Sequence, residues 1–122
     1  KGIAKRSFNL GWKIDSKFEI IEKLYNHSFK IISYFQNDIT KFKIFLMVVK
    51  NYQENKNQTI EELIDELPKN IASRAHKLNC ITEASKKNYL VKETSKSDQR
   101  KKYLKPSQEL LDELNEFLKI LN

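Results

Sequence analysis

Glycine and proline are scarce in this chain, with two of each among 122 residues. Tight turns depend on these residues, so a sandwich or barrel of many short strands is disfavoured and helices are favoured. A chain of 122 residues suits one domain with a hydrophobic core and is too short for two ordinary domains. The sequence therefore predicts a single, mainly helical domain over residues 1–122.

Cysteine and long apolar runs are also scarce. The single cysteine, Cys80, has no partner for an intramolecular disulfide, and no leader-like pattern of positive and then apolar residues precedes the first helical pattern. The longest apolar run, residues 45–49, is far shorter than the roughly 20 residues that a membrane helix needs. We therefore expect a cytoplasmic, nucleoid-associated protein that does not bind membranes.

Motifs of catalysis and metal binding are missing as well. The sequence has no glycine-rich phosphate loop, no histidine and carboxylate zinc pattern and no nucleophile elbow. His76 has no second ligand at a suitable spacing, since the other histidine is His27 in the first predicted helix. Acids such as Glu61 and Glu62 are adjacent and so point in different directions on a helix. We expect no enzyme activity, no metal and no cofactor.

Positive charge is abundant and concentrated. The net charge is +7 and the pI is near 9.4, which is typical of proteins that bind phosphate groups or anionic surfaces. Residues 59–67 carry four acids and no cation, and residues 107–122 carry four acids and one lysine. The positive side chains instead gather between residues 86 and 105, where eight cations, Lys86, Lys87, Lys92, Lys96, Arg100, Lys101, Lys102 and Lys105, outnumber the two acids, Glu93 and Asp98.

Apolar spacing of three and four residues predicts four helices in the first 87 residues. Residues 1–14 have no clear period and are interpreted as an arm or a lead-in helix. Asp15 or Ser16 caps a first helix with an apolar stripe over residues 18–35, and a second helix runs from Thr40 to about Tyr52. Thr59 with Glu62 fits a capping box that opens a third helix, and Pro68 ends it.

Ser73 is a suitable N-cap for the fourth helix. We expect this helix to pack through an apolar face made of Ala75, Leu78, Ile81 and either Ala84 or Ser85. The opposite, polar face would then present Arg74, His76, Lys77, Asn79 and Thr82.

A hairpin follows the fourth helix in the predicted order. Residues 89–93 and 102–105 are short, alternating and β-prone, and residues 94–101 between them are polar and rich in turn formers. Pro106 ends the hairpin, and Ser107 caps a last helix whose apolar residues, Leu110, Leu111, Leu114, Phe117, Leu118 and Leu121, again recur at steps of three and four.

Two short helices joined around Pro68 and followed by a basic hairpin have the order of a winged helix-turn-helix. A helix fits the major groove of DNA, and its N-terminus binds phosphate. The predicted base contacts on the fourth helix are Arg74, His76, Lys77 and Asn79, and Ser73 at its N-terminus is predicted to bind a phosphate. The hairpin tip would lie along the DNA backbone or in the neighbouring minor groove, which attracts arginine. Its predicted contacts are Lys96, Ser97, Asp98, Arg100, Lys101 and Lys102.

Over residues 59–118 the sequence resembles the MarR-type transcriptional regulators. The resemblance rests on residues 86–93 (KKNYLVKE), 98–102 (DQRKK) and 106–107 (PS). Departures are Asn88 in place of the usual glycine, and His76 and Asn79 in place of the more common threonine and arginine. The resemblance implies that Arg100 enters the minor groove and that Asp98 orients the basic residues of the wing.

The same resemblance implies dimerisation through the terminal helices. Residues 1–52 and 107–122 would form the dimerisation region of a homodimer, and residues 59–105 would form the DNA-binding part. The resulting prediction is a transcriptional regulator specific for double-stranded DNA. The alternative is a winged-helix module for protein assembly or for nonspecific DNA architecture.

Three smaller interpretations stay open at this level. His76 is either a groove contact or an idle surface residue, and Cys80 is either a small apolar residue or a redox sensor. The aromatic residues of the N-terminal half serve the core or the dimer, or they line a pocket for a small-molecule effector.

Overall fold

A computed structural model describes residues 18–22 and 29–121 of the chain, so the predicted arm at residues 1–14 lies outside the described residues. Residues 18–22 are helical. The elements that follow are α1 (Lys30–Gln36), α2 (Ile39–Gln53), α3 (Ile60–Glu66), α4 (Arg74–Lys86), β1 (Leu90–Thr94), β2 (Lys102–Pro106) and α5 (Gln108–Leu121). The predicted fold class, mainly helical with a small β-hairpin wing after a helix-turn-helix, is confirmed.

The predicted first helix is wrong at Phe29. This residue has φ −97° and ψ 81°, so α1 begins afresh at Lys30. The start of α1 is satisfied from the far end of the chain, because the Glu113 carboxylate accepts hydrogen bonds from the N–H groups of Ile31 (3.1 Å) and Ile32 (2.7 Å). The apolar stripe alone could not reveal this break, since the capping group lies 82 residues away in sequence. Residues 23–28 lie outside the described residues.

Local capping signals explain α2 and α3. The Asp38 carboxylate accepts hydrogen bonds from the N–H groups of Thr40 (2.7 Å) and Lys41 (3.4 Å) at the start of α2. The capping box at the start of α3 is confirmed, with Thr59 and Glu62 each binding the backbone of the other. Leu67 is extended, at φ −65° and ψ 141°, as expected before a proline, so α3 ends where the sequence predicts.

One core supports both α4 and the hairpin. Phe35 from α1, Ile44 from α2, Leu63 from α3, Ile81 from α4 and Leu90 from β1 are each about 1% exposed and belong to one hydrophobic cluster. From α5, Leu110 is fully buried in the same cluster. Burial of such side chains stabilises a fold by roughly 1.5–3 kcal/mol each. The surface formed by α4 and the hairpin is therefore supported by a single hydrophobic core.

The hairpin has a regular antiparallel register, from Leu90 opposite Pro106 to Thr94 opposite Lys102. Tyr103 on β2 also pairs with Thr59, the N-cap of α3, through an isolated antiparallel bridge. This bridge joins the hairpin to the helix-turn-helix. Among the described helices, none is long and apolar enough to cross a membrane.

Candidate nucleic-acid interface

The buried face of α4 differs from the predicted one. Its buried residues are Lys77, Cys80, Ile81 and Ala84, whereas Ala75 is exposed. The predicted placement of Lys77 on the exposed face is wrong, because this residue is only 4% exposed. A lysine stem of four methylenes packs like an apolar side chain, and residue 77 shares the inward stripe with residues 80, 81 and 84 at steps of three, four and seven. The prediction had assigned Lys77 to the exposed face from its polarity alone, and the predicted buried face of α4 was therefore misplaced around the helix.

The N-terminus of α4 is capped by Ser73, as the sequence predicts. The Ser73 hydroxyl accepts a hydrogen bond from the His76 N–H at 3.1 Å. Arg74, the first residue of the helix, is half-exposed and pairs with two acids of α3: Nη2 with the Glu61 carboxylate, and Nη1 with Asp65 Oδ1 at 3.7 Å. Sequence reasoning missed this pair, since the acids and the arginine lie on different helices.

His76 and Asn79 lie on the exposed side of α4, in agreement with their predicted placement. His76 Nε2 lies 3.5 Å from Asp38 Oδ2 and 3.6 Å from Cys80 Sγ. Partial burial of Asp38 opposes its ionisation, but the N–H groups of Thr40 and Lys41, together with His76, outweigh burial and hold the pKa of this carboxyl below its ordinary value. His76 therefore faces a carboxylate that is ionised at neutral pH.

Cys80 lies on the buried face of α4, at 4% exposure. Burial raises the pKa of its thiol, so the protonated, less reactive form is favoured. This environment fits the interpretation of Cys80 as a small apolar residue. Within residues 18–22 and 29–121, no group of three or more histidine, cysteine or acidic side chains is placed to hold a metal ion.

The second half of α4 is tied to α1 and α2 through Glu83. The Glu83 carboxylate accepts a hydrogen bond from the Tyr34 hydroxyl at 2.5 Å and pairs with Lys41 Nζ at 3.0 Å. These hydrogen bonds lower the pKa of Glu83, while burial and the Glu83 contact raise the pKa of Tyr34. Lys41 also lies over the Tyr34 ring, 4.6 Å from its centroid. Together with the His76 contact, this cluster fixes α4 against the preceding helices.

The turn from α4 into the hairpin depends on Asn88. This residue has φ 62°, a left-handed conformation in which asparagine is favoured over most other residues. Its N–H donates to the Ser85 carbonyl at 3.1 Å, and the Tyr89 N–H donates to the Ala84 carbonyl at 3.0 Å. This pair of bonds is a Schellman motif, which closes the helix and directs the chain into β1.

The wing loop, residues 95–101, is ordered by its own side chains. The buried Ser95 hydroxyl accepts hydrogen bonds from the N–H groups of Ser97 (3.3 Å) and Asp98 (3.4 Å). Asp98 Oδ1 in turn accepts from the Arg100 backbone N–H at 3.0 Å and lies 3.4 Å from Arg100 Nε. The Arg100 side chain is nonetheless 93% exposed. The loop thus presents an arginine on a defined backbone.

The wing brings its other predicted residues to the same surface. Lys96, Ser97, Lys101 and Lys102 are all exposed. A groove of about 390 Å³ runs between the wing and the helix-turn-helix, and its lining includes four cations. The groove residues are Thr59, Ile60, Glu61, Leu78, Lys92, Arg100, Lys101 and Lys102. An anionic polymer that followed this groove would meet cations from both strands and from the loop.

Comparison with known proteins yields likeness in solved structures only. No protein-family model and no curated protein matches the chain. A crystal structure of the heme sensor protein PefR from Streptococcus agalactiae, in complex with heme, aligns with a TM-score of 0.48 and 17% identity over 92% of this chain and 77% of that one. A SlyA-like transcription regulator from Listeria monocytogenes aligns with a TM-score of 0.45 and 18% identity over 98% of this chain and 64% of that one.

Proposed function

We propose that the protein is a transcriptional regulator that binds double-stranded DNA, with α4 in the major groove and the wing loop in the adjacent minor groove. The observation that carries the proposal is the wing loop itself. It holds an almost fully exposed arginine, Arg100, on an ordered turn directly after a helix-turn-helix. Minor grooves of narrow, A·T-rich duplex concentrate negative potential and attract such an arginine.

The charge of the surrounding surface supports the same proposal. Lys96, Lys101 and Lys102 flank Arg100, and Lys92 extends the cationic strip along β1. Contacts of this kind to phosphates supply nearly all of the nonspecific affinity of DNA-binding proteins and a large share of their specific affinity. On α4, the exposed groups available for the major groove are Ser73, Arg74, His76 and Asn79, whereas the buried Lys77 is left out of the proposed contacts.

A homodimer is part of the proposal. Leu118 and Leu121 on α5 are 49% and 40% exposed, and Ile21 in the helical residues 18–22 is 45% exposed. A two-fold dimer through this region would cover apolar surface and place two copies of α4 about one helical turn of DNA, 34–36 Å, apart. Sedimentation analysis is expected to give a dimer, and the substitution Leu118→Glu is expected to shift it toward monomer.

The DNA part is tested by selecting bound fragments from random duplex and measuring affinity for the selected site at several salt concentrations. We expect a steep loss of affinity with salt and a weakening of about tenfold or more for Arg100→Ala, with a salt slope shallower by about 1. Lys56→Ala is the matched control, because Lys56 is also an exposed cation and lies in the link between α2 and α3, outside α4, the wing and the proposed dimer region.

Three results would count against the regulator. Affinity that is insensitive to salt and to Arg100→Ala would refute DNA binding through the wing. Equal loss of affinity for Arg100→Ala and Lys56→Ala would mean that total charge, not the wing loop, drives binding. Equal affinity for every duplex, with no enriched site, would favour the alternative of nonspecific DNA architecture.

A further inference from the structure

Glu61 is an acid in the middle of the cationic surface. It lies in the first turn of α3, and its exposed carboxylate pairs with Arg74 at the start of α4. Glu61 also lines the groove described above, together with the cations Lys92, Arg100, Lys101 and Lys102. It is the acidic residue of that lining. One carboxylate thus stands between the first residue of α4 and the base of the wing.

The stability of the fold gains little from this placement, since an acid in the first turn of a helix adds only about 0.3–1 kcal/mol. An exposed ion pair contributes only about 0–1 kcal/mol. The cap of α3 is already provided by Thr59 and Glu62. A carboxylate on a surface that receives phosphates also repels them, at roughly 1 kcal/mol for a separation of 4 Å in water. Its presence there is a cost to binding of any duplex.

The same carboxylate restricts the orientation of Arg74. Asp65 lies one turn after Glu61 on α3, so the two acids approach the guanidinium through different nitrogens, Nη2 for Glu61 and Nη1 for Asp65. A free arginine side chain loses about 2 kcal/mol of rotamer entropy when it is immobilised, and prior orientation reduces that loss. The two acids therefore favour one direction of Arg74 and oppose its use as a mobile phosphate contact.

We propose that Glu61 is a specificity-determining residue, which weakens attraction to any duplex by repelling phosphates and holds Arg74 in the orientation used at the specific site. The inference rests on the proposed DNA-binding function. Specificity is a difference between two affinities, and a repulsive group increases the difference if it penalises the nonspecific complex more than the specific one. Glu61 acts through Arg74 and through charge, so it is a positioning residue and not itself a base contact.

The test compares the affinities of Glu61→Gln for random duplex and for the selected site. Removal of the charge is expected to raise the affinity for random duplex about fivefold and to change that for the selected site less than about twofold, so the ratio falls. Glu66→Gln is the matched control, because Glu66 is an exposed glutamate on the same helix, contacts a side chain, that of Gln58, and does not line the groove. It is expected to leave the ratio unchanged.

The same substitution in a variant that lacks Arg74 separates the two effects of Glu61, repulsion of phosphates and orientation of Arg74. In Arg74→Ala protein, Glu61→Gln is expected to raise the affinity for both duplexes by the same factor, since no arginine remains to be oriented. Unchanged affinity for random duplex, or a parallel loss for both duplexes, would overturn the inference. If Arg100→Ala weakens binding while Glu61→Gln behaves like Glu66→Gln, the inference alone fails. If Arg100→Ala has no effect, the proposed function fails first.

Discussion

Helix α4 and the wing loop carry similar polar residues but hold them differently. On α4, Arg74 contacts acids of α3, His76 contacts Asp38 at the N-cap of α2, and Glu83 contacts Tyr34 of α1. In the wing loop, Asp98 and Arg100 contact each other. The helix is thus a surface fixed by the rest of the protein, whereas the wing loop is shaped by its own short turn.

For the proposed DNA-binding function, this difference predicts different physical roles for the two regions. A fixed helix can discriminate between base sequences, because groups held in place lose little entropy on binding and penalise a poor match. An exposed cationic loop attracts any duplex, and its contribution falls as salt rises. The two regions should therefore respond differently to substitution: α4 through stability and specificity, and the wing through affinity and salt dependence.

The largest effect on stability is expected on the buried face of α4. Ile81 is 1% exposed in the shared core, so Ile81→Ala should lower the free energy of unfolding by about 2–5 kcal/mol, measured by urea denaturation. Thr82→Ala, at the next and exposed position, is the control and should change it by less than about 0.5 kcal/mol.

The same measurement on Arg100→Ala sharpens the contrast. Its side chain is almost wholly in solvent, so we expect a change within about 0.5 kcal/mol. A loss as large as that of Ile81→Ala would mean that the wing loop is part of the folding core, and the division between a fixed helix and a separate loop would be wrong.

A smaller effect is expected at Asp38, which caps α2 and faces His76 of α4. Asp38→Ala removes the cap and should cost about 1 kcal/mol at pH 7. Asp38→Asn keeps an acceptor oxygen for the Thr40 N–H but loses the charge beside His76, so its loss should be smaller.

The pH dependence of the Asp38 effect follows from the direction of its pKa shift. The folded pKa lies below its ordinary value, so the ionised carboxyl adds stability above the unfolded pKa of about 3.9, and this is lost as the pH falls through the folded value. The difference in the free energy of unfolding between the unsubstituted protein and Asp38→Asn should therefore have its full size at pH 7 and decrease below about pH 4. A gap that stays constant down to pH 2 would contradict the assigned charge interaction.

The wing and the caps could be predicted from sequence because their signals are local. Alternation over residues 89–93 and 102–105, turn formers between them and Pro106 after them define the hairpin within 18 residues. Thr59 with Glu62, and Ser73 alone, bind backbone groups within three residues of themselves. Such contacts need no knowledge of the rest of the fold.

The errors and omissions all involve contacts between distant residues. The break at Phe29 depends on Glu113, and the bridge from Thr59 to Tyr103 joins α3 to the wing. The face of α4 was predicted with Lys77 as a polar residue, but its stem packs inward. The acids that hold Arg74 lie on a separate helix. Composition and periodicity carry no information about which side chains of different elements meet.

An effect similar in size to that of Asp38→Ala is expected at Asn88, where the fixed helix passes into the wing. Its φ of 62° is accessible to glycine without strain and costs an alanine about 1–2 kcal/mol. Asn88→Ala should therefore destabilise the protein by about 1 kcal/mol, whereas Asn88→Gly should change its stability by less than about 0.5 kcal/mol, because relief of strain and the greater freedom of the unfolded chain oppose each other.

DNA binding gives a separate measure of the same junction. The Schellman bonds of residues 88 and 89 set the angle at which the hairpin leaves α4, so Asn88→Ala should also reduce the affinity for the selected site, whereas Asn88→Gly should leave it unchanged. If both substitutions leave the affinity unchanged while only Asn88→Ala lowers stability, the wing does not need a fixed angle to α4. The two regions would then bind DNA independently of each other.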